Sequence, residues 1–273
     1  MQFYAMDVSA QDVSRASGGT QDNGSLRSWG STDWNGYLGG DGMMNRINPV
    51  DLNNVFACSQ NGGCARSDNG GNTMTSIRSR FAGTRFNWVS PIEIAAGAPT
   101  TVYFGSNILN RSDDRGVTWR AVSPDLTGGP TPRNTTSFGT ITAIGIAPTD
   151  EDIVYVGTDD GRLWLTENGG TTWTRLTDPD LPDRWVTRVT VDQQNPNIAW
   201  VTYSGFKWES ETQPHVLMTT DGGANWTDIS GNLPQAPVND VIQHPKHGGW
   251  LYIGTDMGVF FTPNLGKNWL KVG

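Results

Sequence analysis

The sequence predicts an all-β fold, a β-propeller of about six four-stranded blades. The first observation is a glycine-rich turn of the pattern S/T-x-D/N-x-G-x-T/N, which occurs in five copies spaced 43–54 residues apart. A repeat of this length indicates a fold built from similar stacked units. The second is a series of short runs with apolar residues at alternate positions, which is typical of strands. The third is the composition: 34 glycines, 12 tryptophans and 17% charged residues suit short strands joined by tight turns.

Interactions within the repeat turn account for its conformation, and the copy from Thr166 to Trp173 is the clearest example. Asn168 can bond the backbone two residues on, and a glycine can adopt the positive φ that the turn needs. The tryptophan then buries a large aromatic surface at the start of the next strand. We therefore predict a structural role for the Asx and tryptophan positions of these turns, which are Asn69, Asp114, Asn168, Asp221, Asn264, Trp119, Trp173, Trp226 and Trp269.

The strands repeat in the same order within each predicted blade. In the fourth blade, residues 141–148 alternate as an inner strand, and 153–158 form a continuous apolar run as a buried second strand. The predicted inner strands begin near Phe3, Met44, Phe86, Ile141, Val186 and Val238. The chain is treated as one domain, residues 1–273, with blades at about 1–40, 41–80, 81–127, 138–178, 184–231 and 236–273.

The first blade is the weakest repeat, because no complete turn follows it and its outer segment, 34–40, is rich in glycine. Such a strand pairs weakly and leaves an exposed edge. No strand is left over to complete a mixed closing blade, and the first residues do not resemble a signal peptide. We therefore expect a propeller from a longer precursor, or one that contacts another chain or domain through its first or last blade.

Composition and motifs argue against several classes of function. The formal net charge of −8 disfavours binding to the phosphate backbone of a nucleic acid. No run of about 18 apolar residues is present, so no membrane span is expected. The three histidines lack a metal-ligand spacing, and no nucleotide-binding motif occurs. We expect neither a metal nor a cofactor.

Two cysteines, Cys58 and Cys64, flank a glycine-containing hairpin turn. They could therefore face each other across two strands and form a disulfide. A disulfide would indicate an oxidising compartment, whereas two free thiols would suit a cytosolic protein.

The repeat turns resemble Asp-boxes, the repeat of bacterial neuraminidases (BNR), and six further short segments extend the likeness over essentially the whole chain. These segments are 18–25, 39–42, 85–88, 123–127, 157–161 and 254–258. The series resembles large secreted bacterial proteins with propellers of the sortilin (VPS10-like) type, which are related to xyloglucanase-type glycoside hydrolases. The resemblance implies a secreted or cell-surface propeller.

Candidate ligand-binding residues lie in turns between second and third strands and in loops between blades, where propellers usually meet their ligands. Aromatic faces can stack on sugar rings, and carboxylates can bond to hydroxyl groups. The predicted ligand-binding residues are Trp88, Asp159, Asp160, Trp208 and Asp256. Asp22 and Asp41 are candidate catalytic acids, since hydrolysis of a glycosidic bond uses two carboxyl groups. The alternative is ordinary turn chemistry, which also favours Asp beside Gly or Asn.

Two functional hypotheses follow. The main one is a non-catalytic extracellular propeller that binds a protein or a glycan or takes part in self-assembly. The alternative is a glycoside hydrolase of the xyloglucanase-like type, or a fragment of one, that acts on a polysaccharide. Measured hydrolysis of a polysaccharide would separate the two.

Overall fold

The computed structural model describes residues 2–130, 138–204 and 212–273. The chain divides into two compact units, Met1–Pro124 and Asp125–Gly273. Each unit contains three four-stranded sheets, and in every sheet the strands pair in chain order and antiparallel. Helix within the described ranges is limited to one 3-10 turn, Arg78–Arg80. The predicted fold class, a β-propeller with six four-stranded blades, is confirmed.

The first unit contains blades 1–3. Their strands are β1 (Phe3–Val8), β2 (Arg15–Thr20), β3 (Gly24–Trp29) and β4 (Asn35–Leu38); β5 (Gly42–Asn48), β6 (Asp51–Ser59), β7 (Gly63–Ser67) and β8 (Thr75–Ser76); and β9 (Ile92–Ile94), β10 (Val102–Gly105), β11 (Leu109–Ser112) and β12 (Arg120–Ala121).

The second unit contains blades 4–6. Their strands are β13 (Ile141–Ala147), β14 (Asp150–Thr158), β15 (Leu163–Thr166) and β16 (Thr174–Leu176); β17 (Trp185–Val191), β18 (Ala199–Ser204), β19 (His215–Thr219) and β20 (Thr227–Asp228); and β21 (Val238–Gln243), β22 (Leu251–Thr255), β23 (Gly258–Thr262) and β24 (Leu270–Val272).

Blades in the second unit pack face to face. Since alternate residues of each strand point to opposite sides of the sheet, each blade has two faces that can contact a neighbour. We call the side of a blade that packs on the preceding blade its front face, and the other side its back face. Residues such as Tyr155 and Leu165 on the back face of blade 4 share a core with Val189 and Val201 on the front face of blade 5. The back face of blade 5 shares a second core with the front face of blade 6.

The core of the first unit is rich in aromatic side chains. Phe81 lies 5.1 Å from Phe104 and 5.4 Å from Trp119 between ring centroids, with edge-on geometry in both pairs, a favourable arrangement for aromatic rings. Cys58 and Cys64, paired directly across β6 and β7, are joined by a disulfide and buried in the same cluster.

One inner strand begins well away from the predicted position. The inner strand of blade 3 begins at Ile92 and not near Phe86. The Asn87 side chain accepts a hydrogen bond from the Val89 N–H, and the Ser90 hydroxyl donates to the Asn87 carbonyl oxygen at 3.0 Å. These local bonds hold a turn, and such side-chain bonds compete with strand pairing.

Candidate functional site

The five repeat turns share one hydrogen-bond pattern. In the turn that begins at Thr166, the threonine hydroxyl accepts a bond from the Gly170 N–H at 2.9 Å. The Asn168 side-chain oxygen accepts a bond from the Thr172 N–H at 2.9 Å. The glycine equivalent to Gly170 has a φ between 82° and 94° in all five turns, a conformation that favours glycine. The matching bonds of the other four turns are 2.8–3.2 Å long. The Asx side chains are therefore engaged inside the turns.

The turn tryptophans pack to different depths. Trp226 and Trp269 are buried, with exposed fractions of 4% and 3%, whereas Trp119 and Trp173 are half-buried. The indole N–H of Trp269 donates to the Ile229 carbonyl oxygen of the preceding blade at 2.8 Å. These tryptophans therefore occupy equivalent places in the repeat but contribute unequally to the core.

In the first unit, the candidate residues Asp22, Asp41 and Trp88 lie along one line of contacts. The Asp22 N–H donates to the Asp41 carboxylate at 2.8 Å, and the Asp41 N–H donates to the Gln60 side-chain oxygen at 3.0 Å. The Asn61 N–H donates to the Trp88 carbonyl oxygen at 3.2 Å. We call these five residues, Asp22, Asp41, Gln60, Asn61 and Trp88, the polar row.

The polar row is accessible to solvent. Asp22 is exposed, Asp41 is half-buried, and 43% of Trp88 is exposed. Asp22 adopts a positive φ of 62° at the turn between β2 and β3, and Asn61 adopts 56° at the turn between β6 and β7. The polar row thus contains two solvent-accessible carboxylates and one partly exposed aromatic side chain, residue types that suit a sugar ligand.

In the second unit, Asp159 and Asp160 hold the segment that leads into blade 4. Asp159 is buried, and its carboxylate accepts bonds from the Phe138 N–H at 2.7 Å and from the Thr140 N–H at 2.9 Å. The Asp160 carboxylate accepts a bond from the Gly128 N–H at 2.6 Å. Both side chains thus bond to protein donors, and their role in ligand binding stays a prediction.

Two further candidates lie apart from these. Asp256 is exposed at the turn between β22 and β23, where it accepts a bond from the Asn239 side chain at 2.8 Å. Trp208 lies outside the described residues.

Sequence analysis missed a cluster of charged side chains on the inner strands of the first unit. Arg46 on β5 forms a two-bond ion pair with Glu93 on β9, and its Nε–Oε2 distance is 2.7 Å. Asp7 on β1 accepts a bond from the Ile47 N–H at 2.7 Å. Burial raises the pKa of Asp7 above its ordinary value, and the charge of Glu93 adds to this, while Arg46 opposes it. The sequence does indicate this cluster in one respect, because each of these charged residues lies within a predominantly apolar inner strand.

No group of three or more potential ligands in the described ranges could hold a metal ion. Within those same ranges, no helix is long and apolar enough to cross a membrane.

This chain is similar in sequence to one family model and to several known xyloglucanases. The family model Sortilin-Vps10 (sortilin, neurotensin receptor 3) matches residues 107–235. A xyloglucanase from Paenibacillus sp is 28% identical over 189 residues, which cover 62% of this chain and 17% of the relative. Xyloglucanase Xgh74A from Acetivibrio thermocellus is 24% identical over 269 residues, 85% of this chain and 31% of the relative.

Solved structures give the same fold. The GH74 xyloglucanase from Xanthomonas campestris superposes with a TM-score of 0.80 at 17% identity, over 99% of this chain and 45% of that structure. YCF48 from Cyanidioschyzon merolae superposes with a TM-score of 0.69 at 10% identity, over 99% of this chain and 84% of that one. The chain is thus a β-propeller similar to those of sortilin-type proteins and xyloglucanases.

The matches support a glycoside hydrolase-like propeller. They favour the alternative hypothesis of the sequence analysis over its main, non-catalytic hypothesis, for which they offer no support. The chain spans only 17–31% of the length of the curated xyloglucanases it matches.

Proposed function

We propose that this chain is a substrate-binding propeller of a glycoside hydrolase that acts on a xyloglucan-type polysaccharide. The observation that carries the proposal is the similarity to a xyloglucanase over 269 residues, 85% of the chain. The exposed carboxylates and aromatic ring of the polar row suit the same ligand class. Because the chain spans less than a third of its curated relatives, the proposal concerns its part in such an enzyme.

Within the polar row, each side chain has a distinct proposed role. Trp88 stacks on a pyranose ring, since its exposed face is apolar and flat. Asp22 and Asp41 bond to sugar hydroxyls and are the candidate acids for hydrolysis, because glycosidases place two carboxyl groups about 5–9.5 Å apart across the scissile bond. The hydrogen bond from the Asp22 N–H to the Asp41 carboxylate keeps these two residues adjacent.

Binding is tested by affinity electrophoresis and calorimetry with xyloglucan and its oligosaccharides. Mannan serves as the negative control, a polysaccharide that the chain is not expected to bind. Trp88→Ala is expected to weaken binding about tenfold, which corresponds to about 1.4 kcal/mol. Tyr4→Ala is the matched control, because Tyr4 is similarly exposed, at 40%, and lies outside the polar row. Absence of binding, or equal affinity of the Trp88 and Tyr4 variants, would contradict the proposed role.

Hydrolysis is tested separately by release of reducing sugar from xyloglucan. Asp22→Asn and Asp41→Asn are each expected to lower the rate by about a hundredfold or more if they act as acid and base. Binding without any hydrolysis would leave a carbohydrate-binding propeller and would remove the catalytic part of the proposal.

We also infer that the repeat turns are Asp-boxes and that the chain is extracellular. The shared hydrogen bonds of the five turns support the first inference, and the Cys58–Cys64 disulfide supports the second. Detection of the protein in the culture medium of its source, with both cysteines oxidised, tests the location. A protein found only in the cell lysate with free thiols would contradict it.

A further inference from the structure

Five asparagines of this chain are followed directly by glycine, and the fold restrains the five pairs to different degrees. The pairs begin at Asn23, Asn35, Asn61, Asn69 and Asn168. An Asn–Gly pair can modify itself, because the backbone nitrogen of a residue without a Cβ is unhindered and can attack the carboxamide carbon of the preceding side chain. In a folded protein this reaction requires that the peptide group between the two residues can rotate.

Asn61 and Gly62 are the two central residues of the turn that joins β6 and β7. The turn is closed by a hydrogen bond from the Gly63 N–H to the Gln60 carbonyl oxygen at 3.2 Å. The φ values of 56° at Asn61 and 73° at Gly62 identify a type I′ turn, since only that type has a positive φ at both central positions. The Asn61 side chain is exposed at the tip of this hairpin.

The peptide group between Asn61 and Gly62 is held by no hydrogen bond. Among the described residues, neither its carbonyl oxygen nor its N–H group has a partner, and the Asn61 side chain makes no hydrogen bond either. A half-turn of this group converts type I′ to type II′, which keeps the first central φ near 60° and brings the ψ of that residue to about −120°. The Gly62 nitrogen then lies on the same side as the Asn61 Cβ, within reach of the carboxamide carbon.

Asn69 and Asn168 differ from Asn61, because the repeat turns hold both the peptide group and the side chain. The Gly169 N–H donates to the Asp152 carbonyl oxygen at 2.9 Å. The Asn168 side chain accepts from the Thr172 N–H at 2.9 Å and donates to the Thr172 hydroxyl at 2.8 Å. The equivalent three bonds of the Asn69 turn are 2.9–3.0 Å long. Rotation in these turns therefore requires that several hydrogen bonds break.

The two remaining pairs are also restrained. The Asn23 side chain donates to the Gln21 carbonyl oxygen at 2.8 Å. Asn35 lies in β4, where both it and the following glycine pair with β3, so that rotation of the peptide group between them would disturb the ladder. Asn61 and Gly62 are therefore the Asn–Gly pair that the fold restrains least.

We propose that Asn61 is a site of spontaneous modification, at which the side-chain amide is converted to a carboxylate. The Gly62 nitrogen attacks the Asn61 Cγ, and the new N–Cγ bond replaces the bond from Cγ to Nδ2. The glycine amide proton leaves with the departing nitrogen as ammonia, and a cyclic imide remains. Water then adds to one of the two imide carbonyl carbons and breaks its bond to nitrogen. The product is aspartate or, where the main chain now runs through Cγ, isoaspartate.

Either product adds a carboxylate to the polar row, because Asn61 is one of its members. The Asn61 N–H bonds to the Trp88 carbonyl oxygen, and the adjacent Gln60 side chain accepts the Asp41 N–H. A carboxyl group at an exposed position is ionised at neutral pH. The modified chain thus has three carboxylates in the polar row instead of two. This inference does not depend on the proposed carbohydrate function.

Peptide mapping of the full chain after incubation at mildly alkaline pH tests the proposal, since trypsin places each of the five pairs on a different peptide. These peptides are residues 16–27, 28–46, 47–66, 67–78 and 163–175. The mass increase from amide to acid is expected in peptide 47–66 about tenfold or more faster than in the other four, because each hydrogen bond that must break lowers the population of the rotated turn. An equal or faster change in any other of these peptides would overturn the proposal.

The role of the fold is checked by the same incubation in urea. The five pairs should then react at similar rates, since unfolding removes the bonds that restrain the other four. A lead of peptide 47–66 that persists in urea would show that the local sequence, and not the turn geometry, selects the site.

Asn61→Gln is the decisive variant, because glutamine keeps the amide but would have to close a larger ring. Peptide 47–66 of this variant should keep its original mass over the same incubation. Asn53→Gln is the matched control, since Asn53 is exposed, lies on the same peptide and is not followed by glycine; its peptide should change mass as in wild type. A mass increase that persists in Asn61→Gln would place the reaction at another amide, and the proposal would be wrong.

The cyclic imide has its own readout. Because its hydrolysis also gives isoaspartate, an isoaspartyl methyltransferase should label peptide 47–66 of the incubated chain and leave that of fresh protein unlabelled. A mass increase without any labelling would exclude attack by the Gly62 nitrogen.

Discussion

The repeat-turn tryptophans offer a matched test of packing, because the same residue at the same place in the repeat is buried to different depths. Trp226 is 4% exposed in the core shared by blades 4 and 5, whereas Trp173 is half-buried. A buried tryptophan removes roughly 200 Å² from water, worth about 5 kcal/mol at 25 cal/mol per Å². Trp226→Ala should therefore cost about 3–5 kcal/mol, the usual range for such a truncation. Trp173→Ala should cost about half as much, since less of its surface is transferred.

The comparison is cleanest at Trp226, because its backbone N–H bond to the Asp178 carboxylate, at 3.2 Å, is retained in the alanine variant. Thermal unfolding followed by circular dichroism should show a fall in Tm of about 10 °C for Trp226→Ala and about 5 °C for Trp173→Ala. Equal losses for the two variants, or a greater loss for Trp173→Ala, would refute the argument that burial sets the contribution of each turn.

Three further outcomes are expected. Burial opposes ionisation of Asp114, but hydrogen bonds from Thr118 outweigh it and lower its pKa from 3.8 to about 2. The ionised carboxylate therefore stabilises the fold above pH 3.8, and this stabilisation is lost as the pH falls toward 2. Urea unfolding at pH 3 and pH 7 should show that the free energy of unfolding of Asp114→Asn lacks this acid-dependent part. Asp7 has a raised pKa, so its contribution to stability is complete below the pKa of the unfolded state and is lost as the pH rises through the pKa of the folded state. Asp7→Asn should therefore unfold at a higher urea concentration than wild type at pH 7 but not at pH 3. An equal urea midpoint of the two proteins at pH 7 would contradict this. Reduction of the Cys58–Cys64 disulfide should lower the free energy of unfolding by about 2 kcal/mol, because the closed loop is short. Calorimetric scans with and without reductant measure this loss. An unchanged Tm after reduction would contradict the prediction.

The fold could be predicted from the sequence because its determinants are local. A hydroxyl, an Asx side chain and a glycine within a few residues define each repeat turn, as in the turn from Thr166 to Gly170, and strand alternation supplies the rest. The late start of β9 could not be predicted, because the hydrophobic pattern of that stretch does not show that Asn87 and Ser90 bond to the neighbouring backbone.

The candidate site was only partly predictable, because residue type does not show which way a carboxylate points. Asp22 and Asp159 occur in similar turn sequences, yet Asp22 is exposed and Asp159 is buried against the Thr140 N–H. The contact of Arg46 with Glu93 depends on packing between blades 2 and 3, and no local pattern encodes it. The line of contacts that joins Asp22, Asp41 and Trp88 likewise required three-dimensional information.

Each of the six sheets completes its hydrogen-bonded ladder among four strands that are consecutive in the chain. A segment of 43–54 residues can therefore be duplicated or deleted during evolution without breaking the ladder of any other sheet. The new neighbours would need to match only in their side chains, above all at the glycine that admits the next inner strand, as Gly157 admits Val186. Blade number can thus change by gene duplication while the individual blade is inherited intact.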